Sequence, residues 1–278
     1  MSGLYVVATP IGNIGDITER AKFVLQKADI IACEDTRVTK KLLNLLNINF
    51  SQKKFLTFHD HNEQQKVQEI IELLQQGNHT VAQVSDAGSP LISDPGYKLV
   101  RACREQNIPF SIIPGCCALI CALQLSGLPS NRFMFAGFIP NKDKARTDLF
   151  TELKDIDATL IFYETAPRLL KTLQAAENIF ANREFSVARE ISKIYEECKT
   201  GFSSELIEYY TQNPPKGEIV FMVAPPDKKE VCAIDLNEVL KQKMQKFPLK
   251  TAVSQVVSEY NLNKNEVYRL AIKIKNES

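Results

Sequence analysis

Several stretches of this chain set chemically capable side chains at spacings that suit the end of a strand. The segment Ser85-Asp86-Ala87-Gly88-Ser89-Pro90-Leu91-Ile92-Ser93-Asp94-Pro95-Gly96 combines small residues, turn formers and two carboxylates. It is long for a connection between a strand and a helix. Asp86 can accept a hydrogen bond from a ligand hydroxyl or amine, whereas Asp94, just ahead of Pro95, is expected to cap the helix that follows. A second turn, Thr9-Pro10-Ile11-Gly12-Asn13-Ile14-Gly15-Asp16, carries two glycines that let the backbone pass close to a ligand. It has neither the G-x-G-x-x-G nor the G-K-[ST] spacing, which disfavours NAD and ATP phosphate cradles. A third, Pro114-Gly115-Cys116-Cys117-Ala118, opens a helix whose first amides suit a polar ligand group. No histidine lies near it and its flanks are apolar, so these cysteines read as small residues beside a ligand rather than as nucleophiles. His59 and His61 point the same way from an extended strand, but the only other histidine is His79. No metal site is expected there, and the pair reads as a polar loop facing a substrate. Glu34-Asp35-Thr36-Arg37 fits either a helix cap or a site at a sheet's carboxyl edge.

The elements that must position these residues are legible from periodicity. Short β-rich runs at 4–9, 29–34, 54–58, 80–85 and 109–113 alternate with helix-period segments at 18–27, 36–46, 64–76 and 95–106. Thr18 is placed to cap the first helix and Gly77 to end the third. A second series follows: a helix over 116–126, strands at 132–137, 159–164, 185–191 and 218–224, and helices over 142–154 and 167–180. Pro225-Pro226-Asp227 makes a linker. Beyond it the pattern is helical, with helices over 248–260 and 264–275 spaced like a helix-turn-helix. Strands alternating with helices predict an α/β protein with two sheets. The expected division is an N-terminal α/β domain over 1–115, a second α/β domain over 116–226 and a helical tail over 227–278.

Composition fits that picture. The 278 residues are 44% hydrophobic and 24% charged, as in an ordinary globular protein. Net charge is only +1, which by itself argues for no nucleic-acid partner. The balance is uneven, however: residues 228–278 hold 10 basic against 6 acidic side chains, a net +4, which leaves the body at −3. Seven cysteines, an odd number without a Cys-x-x-Cys pair, point to a reduced, cytoplasmic chain, and no apolar run approaches a membrane span.

Taken in order, VATPIGNIGDIT, ACEDTRVTKKLL, FHDHNE, VSDAGSPLISDPG, IPGCCAL, LIFYETAPRLL and KGEIVFMV, with NKNEVYRLA in the tail, closely resemble the tetrapyrrole methylase superfamily. Within it they resemble the ribosomal small-subunit methyltransferase I family. The resemblance spans essentially the whole chain. It implies two α/β domains with S-adenosylmethionine in the cleft between them, usually in a homodimer. It also implies 2′-O-methylation of a cytidine in 16S ribosomal RNA near the decoding site of the small subunit. Matched residue by residue, it implies Pro10, Ile11, Gly12, Gly88, Ser89, Pro90, Ile92, Cys117 and Ala118 as cofactor neighbours. Tyr163, Glu164, Gly217, Glu218 and Ile219 match second-domain segments that line the cleft.

For such a reaction a ribose hydroxyl needs a general base or groups that stabilise the developing alkoxide. The candidates are Glu34, Asp35, His59, His61, Asp86 and Glu164, with Glu164 favoured because FYETAPR follows a cleft-facing strand. RNA contacts are expected from Arg37, Lys142, Lys144, Arg146, Arg168, Arg189 and Lys193 on the body. Lys264, Arg269, Lys273 and Lys275 are the candidates on the tail. A corrin or porphyrin methyltransferase, a diphthine-synthase-like protein methylase and a non-enzymatic nucleic-acid binder are the alternatives. The basic tail speaks against the first and the three ligand-grade loops against the last.

Overall fold

The computed structural model describes residues 2–59, 63–226, 236–260 and 264–276. The chain divides into two compact units, Met1–Pro225 and Pro226–Ser278. The larger unit holds two five-stranded sheets.

The first sheet is built from β1 (Gly3–Val7), β2 (Ile30–Cys33), β3 (Lys54–Thr57), β4 (Thr80–Val84) and β5 (Phe110–Ile113), in the order β3-β2-β4-β1-β5, all parallel. Its central strands are buried throughout, as a parallel sheet covered on both faces requires. α1 (Glu19–Lys27) and α2 (Thr36–Leu45) pack on one face, where Val24, Leu25 and Leu43 meet Val7, Ile31 and Val84. α3 (Glu63–Gln75) and α4 (Tyr97–Glu105) cover the other, where Ile70, Leu74 and Leu99 meet Leu4, Ala32 and Val81. The neighbours β1 and β4 therefore send their connections to opposite faces. That divergence opens a crevice at their carboxyl ends, the usual place for a ligand in such sheets.

α5 (Ala118–Ser126) leads to the second sheet, of β6 (Phe133–Phe138), β7 (Thr159–Thr165), β8 (Phe185–Arg189), β9 (Glu197–Gly201) and β10 (Glu218–Val223). Its order is β6-β7-β10-β8-β9, with only β6 and β7 parallel. α6 (Asp143–Leu153), α7 (Leu169–Glu177) and α8 (Ser203–Gln212) bury Phe150, Leu173 and Tyr210 against Phe162, Val187 and Phe221. α5 covers the opposite face, with Leu119 and Leu123 against Ile161, Val220 and Met222. Strand alternation thus turns Tyr163 towards α5 and Glu164 towards α7.

The smaller unit is three helices, α9 (Leu236–Lys246), α10 (Leu249–Tyr260) and α11 (Lys264–Asn276). They share a core of Leu240, Val253, Val256, Val267, Ala271 and Ile274.

Two elements lie outside the sequence-based expectation. β9 is a polar edge strand (ECKTG) with no apolar run to announce it. α8 begins where Glu205 accepts from the Phe202 N–H at 3.0 Å. A third difference concerns α4. Asp94 does not cap it; the cap position is Gly96, at φ +132°, a conformation that favours glycine. The cap comes instead from across the fold, where the buried Glu63 accepts from the Gly96 N–H at 3.0 Å and pairs with Lys98 at 2.9 Å. Gln83 also donates to the Pro95 carbonyl at 2.9 Å. Asp94 is left in the loop that faces the crevice.

Candidate active site

The strand-end loops of the first sheet are laced to one another. Thr9 N–H donates to the Gly88 carbonyl at 2.8 Å, and Gly88 N–H donates back at 3.2 Å. Ser89 Oγ donates to the Cys116 carbonyl at 2.8 Å, which joins the β4 loop to the start of α5. Gly115 passes so close to β1 that a Cβ there would lie 2.8 Å from the Ala8 Cβ. Within the β4 loop, Leu91 (φ +73°) and Ser93 (φ +65°) hold left-handed backbone that non-glycine residues rarely adopt. Such strain persists only where surrounding bonds enforce it, and it is concentrated at ligand sites.

Loops of the second sheet meet these. Ser192 Oγ hydrogen-bonds the Asp16 carboxylate, and a Cβ on Gly12 would come within 2.4 Å of Lys193 Cγ. Lys193 Nζ pairs with Glu190 at 2.9 Å. Gly217, at φ +84°, lies against the same carboxylate, where a Cβ would stand 2.0 Å from Glu190 Oε1. Tyr163 is flanked edge-on by Phe135 at 4.8 Å and Phe138 at 5.4 Å. Burial pushes the Tyr163 phenol well above its ordinary pKa, so it remains a protonated donor at neutral pH.

These loops enclose a cavity of about 370 Å3, within the ~300–1,000 Å3 range of small-molecule and cofactor sites. Ile11, Gly88, Ser89 and Ile92 line it from the first sheet's loops. Cys117 and Ala118 line it at the start of α5, and Tyr163, Glu164, Gly217, Glu218 and Ile219 from the second sheet. Pro10 and Gly12 border an adjoining groove of about 190 Å3 instead, and Pro90 is buried within its own loop. The sequence did not single out Phe138, Ile191 or Val220, it left the charged run at Glu190 open between a site and surface ion pairs, and Asp94 was expected to cap a helix instead. The signals for the rest were slight, chiefly positive φ angles that no composition announces.

The cavity wall is acidic. Asp86, Asp94, Glu190 and Glu218 line it against the single lysine Lys193, which suits a cationic ligand. α5 starts with no side-chain cap, so its first amides offer donors to a carboxylate. The same cavity can therefore receive a molecule that carries both signs of charge.

Among the candidates for proton transfer, Asp86 is the one whose residue borders both the cavity and the groove. Its Oδ1 accepts from the Asp35 N–H at 3.1 Å. Desolvation raises its pKa above the usual carboxylate value; the nearby Asp35 charge adds to this, while the Asp35 N–H and the Arg37 charge oppose it. Asp35 caps α2, accepting from the Arg37 N–H at 2.7 Å, and its pairing with the Arg37 guanidinium lowers its pKa to about 2.

Glu164, the favoured candidate, is engaged within the fold. Its side chain has 0% exposed surface. It accepts from Thr172 Oγ1 at 2.6 Å and from the Thr165 N–H at 2.7 Å, and pairs with Arg168 at 3.1 Å. Glu164 lines the cavity between Tyr163 and Thr165, but its carboxylate is held on the α7 side by Thr172 and Arg168. His59 borders neither the cavity nor the groove, and His61 lies outside the described residues.

Several cations expected on an RNA surface are also committed internally. Arg146 is 3% exposed and donates to Asp143 and to the Asn141 carbonyl. Arg168 holds Glu164 and the Ile139 carbonyl, and Arg189 pairs with Glu197 at 3.1 Å. Arg37 is exposed although paired, and Lys142 and Lys144 are exposed. Lys264, Arg269, Lys273 and Lys275 are exposed along α11.

A chain from Erythrobacter litoralis named ribosomal RNA small subunit methyltransferase I is 48% identical, covering 98% of this chain and 95% of its own length. One of the same name from Rickettsia prowazekii is 43% identical over 99% of this chain and 98% of its own. The family model for tetrapyrrole (corrin/porphyrin) methylases matches residues 3–207. The chain belongs to the tetrapyrrole methylase family. Solved structures with this tetrapyrrole methylase fold include the uroporphyrin-III-C-methyltransferase of Thermus thermophilus. It has a TM-score of 0.53 and 18% identity, over 81% of this chain and 94% of that one. Diphthine synthase superposes with a TM-score of 0.61 at 13% identity, over 80% of this chain and 89% of its own. Proteins of this fold thus carry quite different names, so the acceptor must be argued from this chain's own surface and its near relatives. Among the described residues no helix is long and apolar enough to cross a membrane.

Proposed function

We propose that this protein transfers the methyl group of S-adenosylmethionine to the 2′-oxygen of a cytidine ribose in 16S ribosomal RNA of the small subunit. The observation that carries this reading is the acidic cavity closed by loops of both sheets, with Asp86 at the border of a second, open groove. The two near relatives carry the name of a ribosomal RNA small subunit methyltransferase. The acidic wall suits the sulfonium and ammonium charges of S-adenosylmethionine, and the α5 amides suit its carboxylate. It would repel the carboxylate-rich rim of a tetrapyrrole.

S-adenosylmethionine, when bound, supplies an electrophilic methyl carbon. The chain's residues do the rest. Ser89, Cys117 and Ala118 on one side and Tyr163, Gly217 and Ile219 on the other hold the donor and fix its orientation. Alignment of this kind contributes on the order of 7–11 kcal/mol in favourable models. Asp86 takes the proton of the attacking hydroxyl, and its raised pKa makes it a stronger base than an ordinary aspartate. Glu164 positions the β7–α7 junction through Arg168 and Thr172. The exposed cations of α11 bind RNA backbone. A cytoplasmic homodimer is the assembly we infer, and the exposed Phe133 and Met134 on the edge strand β6 support it.

The test is a competition among acceptors. Methyl-labelled S-adenosylmethionine is incubated with the full chain and with unmodified small subunits, free 16S RNA, an elongation factor or a tetrapyrrole. Label is expected in 16S RNA alone, at a linkage that becomes resistant to alkaline cleavage. Label in the macrocycle or the protein acceptor would overturn the assignment.

A further inference from the structure

α2 has two stripes. One, through Thr39 and Leu43, is buried against the first sheet. The other, Val38, Lys41, Leu42 and Leu45, follows the i, i+3, i+4, i+7 spacing of a single helix face. It is left open: Val38 is 39% exposed and Leu45 59%. This second stripe forms one wall of the groove of about 190 Å3, and the β1 loop, with Pro10, Gly12 and Ile14, forms the other. Ile14 is 40% exposed. The groove and the donor cavity share one lining residue, Asp86. Asp86 also anchors the wall, because its Oδ1 receives the N–H of Asp35, the residue that caps α2.

We propose that this groove is the nucleoside subsite, which takes the base of one unstacked nucleotide between Ile14 and the Val38–Leu45 stripe and brings its ribose to Asp86. The inference rests on the methyltransfer reading above and names where that acceptor sits. Three features select a nucleotide. Apolar walls from two elements suit the faces of a flat ring, as in proteins that splay single-stranded bases from RNA. Lys41 lies in the groove and Arg37 one turn before it on the same helix, placed for the phosphates on either side of the ring. The groove is too small for a macrocycle, and it meets the donor cavity only where a carboxylate stands ready for a hydroxyl proton.

Leu45→Glu and Lys41→Glu test this in the full chain. Both positions are exposed, so folding is expected to survive, and melting temperature and S-adenosylmethionine affinity check that it does. Steady-state methylation of unmodified small subunits is expected to show KM raised about tenfold or more in each variant, with donor affinity within twofold of wild type. In parallel, unmodified 16S RNA bearing a photoactivatable cytidine at the target position is expected to crosslink within residues 10–14 or 38–45. If the wild type methylates subunits and both variants match its KM, this subsite falls while the proposed activity stands. The same holds if crosslinks gather only elsewhere, or if the variants alter oligomeric state rather than KM. If the wild type methylates no RNA, both readings fall together.

Discussion

Replacing Asp86 by Asn separates proton transfer from architecture. The amide retains an oxygen that can accept the Asp35 N–H now held at 3.1 Å, so the tie between the β4 loop and the α2 cap is preserved. What is lost is the capacity to take a proton. Positioned general bases contribute about 10²–10⁴-fold, so the single-turnover methylation rate is expected to fall by that factor, or by about 3–5 kcal/mol in barrier. S-adenosylmethionine affinity should stay within twofold. The pH profile adds a second readout. Asp86 titrates above its ordinary value, so wild-type activity should fall as pH drops through that raised pKa, and the variant should lose this limb. The stability consequence has the opposite sign to an ordinary active-site lesion. A carboxylate with a raised folded pKa contributes stability that is fully present below its unfolded pKa and lost as pH rises through the folded value. At neutral pH the ionised Asp86 weighs against the fold, and Asp86→Asn should melt no lower than wild type. Stopped-time methylation of small subunits from acid to alkaline pH, with thermal melts on the same samples, covers the rate, the acid limb and the stability. A variant within threefold of the wild-type rate, with the acid limb intact, would refute the assignment of Asp86 as base.

Glu164→Ala removes a carboxylate with no exposed surface and strands Arg168 and Thr172, so urea unfolding should show a loss of about 2–4 kcal/mol, below the range for a fully buried pair because Arg168 is a quarter exposed. Glu164→Gln should keep the methylation rate near wild type, and a hundredfold loss at unchanged stability would return Glu164 to the chemistry. Glu197 is pressed upward by burial, yet Arg189, Tyr209 and Tyr210 hold its pKa below the usual value. The stability it contributes is present above the unfolded pKa and lost as pH falls through the folded one, so Glu197→Gln should lower the melting temperature at pH 7, with the gap closing in acid. Arg269→Glu with Lys273→Glu should weaken RNA binding and make the salt dependence shallower by about one unit for each lost phosphate contact, while donor binding is unchanged.

The two sheets were legible because buried strands and amphipathic helices print opposite periods. Thr18 caps α1 through its hydroxyl, which accepts from Ala21 at 3.1 Å, as its position suggested. Eleven of the fourteen residues that the resemblance placed around the cofactor cleft line a single cavity, because the motifs that carry it lie at strand ends. What the sequence concealed is directional. A glutamate three residues before Pro167 gives no sign of which face its carboxylate takes; the alternation of β7 decides it, and turns the Glu164 carboxylate to the α7 side. Arg146 reads as surface charge until helix phase buries it beneath Asp143. The cap of α4 comes from Glu63, more than thirty residues away, a partner no local pattern can name. β9 is a polar edge strand, ECKTG, with no apolar run for the periodicity to register.

On the proposed reading, loops of the two sheets jointly enclose a methyl donor. Titration calorimetry of the full chain with S-adenosylmethionine tests it most directly when paired with Ala118→Phe, which adds a ring to the cavity wall without touching the groove. The expected result is one donor bound per chain by wild type, and no heat from a variant that melts like wild type. Equal binding by both proteins, or none by the wild type, would contradict it.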